Sequence, residues 1–377
     1  MMLWALRQLW RYTVVTMAYW RGETLGGNRC SSRQLGDEWA HCRRARSREE
    51  PFSRSCAIAL RLPVADQPVA MTRIDSGRIA GPEWLRFFCS IGIVWFHAKA
   101  PAGDCAYAAL PALMMLSVYL AASRSHAAFG ERAIVRRRVM RLILPWLFWS
   151  AIYGLATCIN CRCNGQIWHE DLRLWMLFAG TALHLWYLPA AFVCTTLVAL
   201  GARKLCFRRQ WLACLTWAVV GAVAILVSSY LEAGTAGRIL PLAQWLFVAP
   251  SVPLALALAT IPRGPGRWPR VCASMAIVAA VVLACVVALE RGAPGLTIPY
   301  SIGIVACTAS IHATCRASAF TVWVSGLSFG CYLTHPLVIA LLGKAAELSP
   351  TCLAVTASAI SLAVTAVLRV TYIRRFI

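Results

Sequence analysis

Acidic side chains are scarce. The 377 residues hold 15 Asp and Glu against 37 Lys and Arg, and charged residues of either sign reach only 14%. A soluble domain carries about 25% charge, so a soluble globular class is excluded. Motifs are missing too. The chain has no phosphate-cradling P-loop, no G-x-G-x-x-G followed by a ribose-binding acid, and no H-E-x-x-H. Nor does it have the aspartate-rich metal motif that a sugar-nucleotide glycosyltransferase would use. The opening segment MMLWALRQLWRYTVVTMAYW lacks a clear signal cleavage site, and Arg7 and Arg11 break it as a spanning helix.

Apolar residues are abundant, at 59%, and mean hydropathy is +0.63. The formal net charge of +22 can signal nucleic-acid binding. Here the basic residues sit between long apolar segments, so membrane orientation explains them better and no nucleic-acid partner is expected. Most of the seventeen cysteines lie inside apolar runs, where Cys is a small packing residue. Cys158, Cys161 and Cys163, with His169 nearby, resemble half of a zinc site or a redox pair. No second paired set follows, so no metal is assigned; a disulfide is open to them in an oxidising compartment.

Residues 1–70 read differently from the rest, with eleven Arg, six acidic residues and no sustained period. They are expected to be a disordered or mis-called extension, with the natural chain starting at Met71. From residue 83 the pattern is regular. Apolar segments fall at 83–100, 105–122, 139–158, 181–200, 211–230, 239–261, 271–289, 296–315, 320–343 and 351–372. Most approach the ~20 residues that cross ~30 Å of hydrocarbon. The expected fold is all-α, a polytopic membrane bundle of about ten transmembrane helices. Basic residues concentrate in alternate loops, at Arg132–Arg141, Arg203–Arg209, Arg263–Arg270 and Arg316, and in the tail at Arg374 and Arg375. The positive-inside rule then places both termini in the cytoplasm, as an even number of spans requires.

Charged groups at membrane depth are costly and need a reason. Arg86 and His97 lie eleven positions apart in the first segment. At about 100° per residue they fall within ~20° of one face and ~16 Å apart along the axis. A neutral imidazole suits a general base; an arginine suits a phosphate or a polar network. Interhelical bonding and snorkelling are the bland alternatives. Arg138 and Arg141 in RRRVMRLILPW sit three apart, a spacing that shares a helix face, either for an anionic ligand or as a positive-inside flank. His184, Trp186, Tyr187 and Pro189 occupy HLWYLP, where an interfacial aromatic belt is the default. Tyr332, His335 and Pro336 occupy CYLTHP, where a His beside a Pro fills a hydrogen-bonding gap in a kinked helix. His126, His169 and His312 lie at or near loops, where solvation is expected.

In order, these stretches resemble the acyltransferase-3 family of membrane acyltransferases, over about residues 76–373. LRFFCSIGIVWFH is similar to its R-x10-H signature at Arg86 and His97. LMMLSVYL is similar to its F-F-x-x-S-G-[FY]-L at Ser117 and Tyr119. RRRVMRLILP matches its R-x-x-R at Arg138 and Arg141, with Pro145 following. LWYLPAAF resembles its W-[FY]-L block at Trp186, and SFGCYLTHPLVI its S-Y-x-x-Y-L-x-H block at Tyr332 and His335. One departure is Val118, which stands where the family has Gly. Glu83 represents the acid usually found just before the arginine.

The resemblance implies an O-acetyltransferase of the bacterial inner (cytoplasmic) membrane. Its donor would be cytoplasmic acyl-CoA, most commonly acetyl-CoA, as a substrate rather than a permanently bound cofactor. Its acceptor would be a hydroxyl of an exopolysaccharide, lipopolysaccharide or lipid-linked sugar. His97 would stand at the transfer point, as general base or acyl carrier, with Arg86 orienting or charge-stabilising it. Arg138 and Arg141 would hold the donor phosphates, and Trp186, Tyr332 and His335 would bind substrate. A transporter or flippase for a glycan precursor is the competing class, although no repeat relates the two halves of the chain.

Overall fold

The computed structural model describes residues 78–123, 130–163, 175–201, 210–233, 241–261, 268–290, 296–371 and 376–377, all within the compact unit Met71–Ile377. The extension at 1–70, His126, His169 and the side chains of Cys161 and Cys163 lie outside the described residues. Each of the ten apolar segments forms helix. In chain order these are α1 (Ala80–His97), a short α2 (Gly103–Ala106), α3 (Ala109–Ser123), α4 (Glu131–Arg138) and α5 (Leu144–Cys163). There follow α6 (Met176–Ala179), α7 (Tyr187–Gly201), α8 (Gln210–Ala233), α9 (Leu242–Val248) and α10 (Ser251–Thr260). The chain closes with α11 (Trp268–Glu290), α12 (Thr297–His312), α13 (Ala319–Ala345) and α14 (Pro350–Arg369). Among the described residues there is no strand; an isolated antiparallel bridge joins Ile79 and Arg316.

Eight helical stretches are long and apolar enough to cross a membrane. The other two of the ten are α1, which carries Glu83, Arg86 and His97 in 18 residues, and α12, with 16. Both pack inside the bundle: α1 lies against α3, α12, α13 and α14, and α12 against α1, α3 and α11. Helix α3 is well enclosed, with Met114, Met115, Leu116 and Val118 all fully buried. Val118 therefore fills the space that a Gly would leave for a closer helix approach.

Prolines explain where helices depart from regularity. The segment expected at 239–261 divides into α9 and α10 at Ala249–Pro250, since Pro250 cannot donate to the preceding turn. The buried Tyr300 hydroxyl donates to the Phe247 carbonyl beside the break at 2.6 Å. Between α4 and α5, residues Val139–Ile143 form a π turn, with the Leu144 N–H reaching back to the Val139 carbonyl. Pro145 lacks the N–H that Arg141's carbonyl would accept, and its ring crowds that carbonyl, so the turn widens there. The helix also starts at Glu131, ahead of the expected 139, because hydropathy marks the apolar part of a helix and misses its charged first turns.

Candidate active site

The first helix ends in a tight turn that fixes His97. The Ala98 N–H closes on the Val94 carbonyl, and the Trp95 indole N–H donates to the Pro101 carbonyl at 2.8 Å. Lys99 (φ 55°) and Ala102 (φ 58°) adopt left-handed backbone without being glycine, at a cost of about 1–2 kcal/mol each. Such conformations gather where a fold holds a side chain in place. Phe96, the neighbour of His97, stacks on Tyr107 at 4.3 Å between ring centroids.

Two other histidines meet His97 there. The His335 ring lies 5.1 Å from it, and the His184 ring lies 5.7 Å from His335. His97 is the exposed member, His184 is half-buried, and His335 is fully enclosed. The Tyr153 ring packs against His184 at 4.7 Å, and its hydroxyl donates to the Leu333 carbonyl at 2.7 Å. The Tyr332 hydroxyl donates to the His184 carbonyl. Three elements remote in sequence thus supply the cluster: the end of α1, the 3-10 turn Leu183–Trp186 that leads into α7, and the middle of α13.

His335 fills the gap left by Pro336, as the sequence suggested. Pro336 has no N–H for the Tyr332 carbonyl four residues back. His335 Nδ1 stands 2.7 Å from that carbonyl and 3.3 Å from the Cys331 carbonyl. The Nε2 atoms of both His335 and His184 are buried, with no hydrogen-bond partner among the described residues.

The arginines stand elsewhere. Arg86 Nη1 donates to both Glu83 carboxylate oxygens, at 3.2 and 3.1 Å. Glu83 also pairs with Arg78 at 3.8 Å and accepts from Ser325 Oγ at 2.5 Å. This is the polar network open to Arg86 from its sequence. Eleven residues of helix, ~16 Å, separate it from His97, so a direct hold of one on the other is not present. Arg138 is half-buried at the end of α4, and Arg141 is exposed within the π turn. The π turn lies between the two, so the pair does not have the regular i, i+3 spacing of an α-helix. Tyr153 stands twelve residues beyond Arg141, roughly 18 Å along the helix. Both helices therefore lead from an arginine end to one histidine cluster.

Trp186 and Tyr187 are buried in the core, 5% and 6% exposed, so they are no interfacial belt; the 3-10 turn directs them inward. His312 bonds Ser274 Oγ at 2.7 Å and is not simply solvated. Gly326–Gly330 reads G-L-S-F-G, the spacing of a nucleophile elbow, but it lies within the continuous helix α13. The strand-to-helix turn that would present Ser328 is absent there. Cys158 is a free, half-buried thiol. Among the described residues, no group of three His, Cys, Asp or Glu is placed to hold a metal ion.

His184 and Tyr153 joined the site without having been assigned to it. Their sequence signal was a polar side chain inside an apolar run, which is common in membrane bundles. Residues 79–370 match the model of the acyltransferase-3 family, described as an acyltransferase domain. No curated protein and no solved structure matches the chain.

Proposed function

The chain belongs to the acyltransferase-3 family and is a membrane acyltransferase, and on that premise we propose that it moves an acyl group, most commonly acetyl, from cytoplasmic acyl-CoA to a glycan hydroxyl. The acceptor is an exopolysaccharide, a lipopolysaccharide or a lipid-linked sugar. The observation that carries this reading is the separation of arginines from imidazoles along two helices. Donor phosphates need cations, and acyl transfer to a hydroxyl needs a base. In this reading Arg138 and Arg141 hold the phosphates at the cytoplasmic end, and Arg86, fixed by Glu83, lies toward the same end of its own helix. The pantetheine arm of the donor spans the ~16–18 Å that the helical rise puts between the two ends. His97, the exposed imidazole, takes the proton of the acceptor hydroxyl as its oxygen attacks the thioester carbonyl. The proton then leaves on the CoA sulfur. Both termini lie in the cytoplasm, and the membrane is the bacterial inner membrane.

Comparative mass spectrometry of surface and secreted glycans tests the reading. A strain lacking the chain is expected to keep its glycans and lose their acyl mass increments. Loss of the whole polymer would point instead to a flippase or polymerase, and unchanged glycans would refute the transferase role.

A further inference from the structure

The histidine cluster contains an acceptor with nothing to accept. His335 Nδ1 faces only carbonyl oxygens, those of Tyr332 at 2.7 Å and Cys331 at 3.3 Å. A carbonyl cannot donate, so Nδ1 carries the ring's proton. The bond the ring makes at one nitrogen thus sets the tautomer, and Nε2 of the neutral ring is left as a lone pair. That Nε2 is buried, the ring is 0% exposed, and no described group donates to it. A buried polar atom left so costs about 1–3 kcal/mol, which the fold bears at this position. The nearest ring is that of His97, 5.1 Å away between centroids and tilted by 39°. An N–H···N bond of ordinary length, about 3 Å, fits between two rings so spaced.

We propose that His335 is a positioning residue for His97: its open Nε2 is the acceptor for the N–H that neutral His97 carries on one nitrogen, which leaves the other nitrogen to take the hydroxyl proton, and it holds that N–H more strongly once the ring is an imidazolium. The proposal rests on the reading of His97 as general base. In the step, the acceptor O–H bond breaks and its proton passes to His97. The acyl C–O bond forms, the C–S bond breaks, and the CoA sulfur takes the proton from His97. His335 gives up and gains no proton; it holds one hydrogen bond that strengthens when His97 becomes charged. An interaction that strengthens on the way to the transition state, and touches no substrate, raises kcat and leaves substrate binding alone. The proline inside α13 makes this possible, since Pro336 frees the carbonyl that locks the tautomer. His184 packs against the pair, its ring 5.7 Å from His335.

The test uses membrane vesicles carrying the full chain and its own glycan acceptors, supplied with radiolabelled acetyl-CoA. His335→Ser keeps a hydroxyl for the freed carbonyl but offers no acceptor to His97. His335→Asn offers both an N–H for the carbonyl and a C=O for His97. The serine variant is expected to lose on the order of 100-fold in kcat, at unchanged KM for acetyl-CoA, and the asparagine variant to recover at least about tenfold of it. A serine variant with wild-type kcat overturns the proposal, as do serine and asparagine variants equally impaired per folded protein. Should His335→Ser fail to accumulate, His335→Asn decides alone: a loss as deep as that of His97→Ala, in a folded chain, overturns the proposal. Failure of the underlying reading looks different, because His97→Ala would then transfer label as wild type does.

Discussion

Removing the Glu83 carboxylate should loosen the first helix more than any other single polar change. Glu83 is 7% exposed and sits in the first turn of α1, where a negative charge also meets the helix dipole favourably. Its oxygens take both Arg86 contacts and the Ser325 hydroxyl, which ties α1 to α13. A hydrogen bond to a charged group is worth about 1.5–3 kcal/mol. Breaking a fully buried ion pair costs about 3–5 kcal/mol. The Arg86 side chain is 31% exposed, so solvent recovers part of that loss, and ~2–3 kcal/mol is the expectation for Glu83→Ala. Glu83→Gln keeps an acceptor for Ser325 and should lose about half as much. The assay is the thermal transition of the solubilised chain, followed by tryptophan fluorescence, with membrane abundance as a second readout. A double-mutant cycle with Ser325→Ala isolates the bond between the helices, and a coupling of about 1–2 kcal/mol is expected. Transitions of Glu83→Ala and Glu83→Gln that both match wild type, or a coupling of zero, would refute the reasoning.

Two further substitutions probe the supports of the cluster. Gly180 has φ +84°, and a Cβ there would stand 2.5 Å from Ser150 Oγ and 3.0 Å from Trp146 Nε1. Gly180→Ala should therefore lower both the thermal midpoint and activity, whereas Gly130→Ala, with nothing among the described residues within 4 Å of the added Cβ, should change neither. Tyr332→Phe removes the hydroxyl that bonds the His184 carbonyl. It should cost about 1 kcal/mol of stability and lower transfer further than its effect on protein amount accounts for, measured with labelled acetyl-CoA.

The helices were legible because a bilayer imposes one length and one composition on whatever crosses it. All ten apolar segments are helical, including α1 with its buried charge. The site was legible only in part. Arg86 and His97 share one helix, so their spacing carried their relation. His184 and His335 reach His97 through folding of three elements more than 80 residues apart in sequence, and no local period records that. One local detail of the R-x-x-R stretch was not legible: a π turn lies between Arg138 and Arg141, ahead of Pro145, and a regular period does not foresee it. Trp186 and Tyr187 looked like interfacial anchors because composition cannot tell an aromatic facing lipid from one turned into the core.

The most direct measurement is transfer of radiolabel from acetyl-CoA, offered on the cytoplasmic face of membrane vesicles, to the glycan they carry. Wild type should label the glycan and His97→Ala, present in equal folded amount, should not. Equal labelling by the two would contradict the account at its centre.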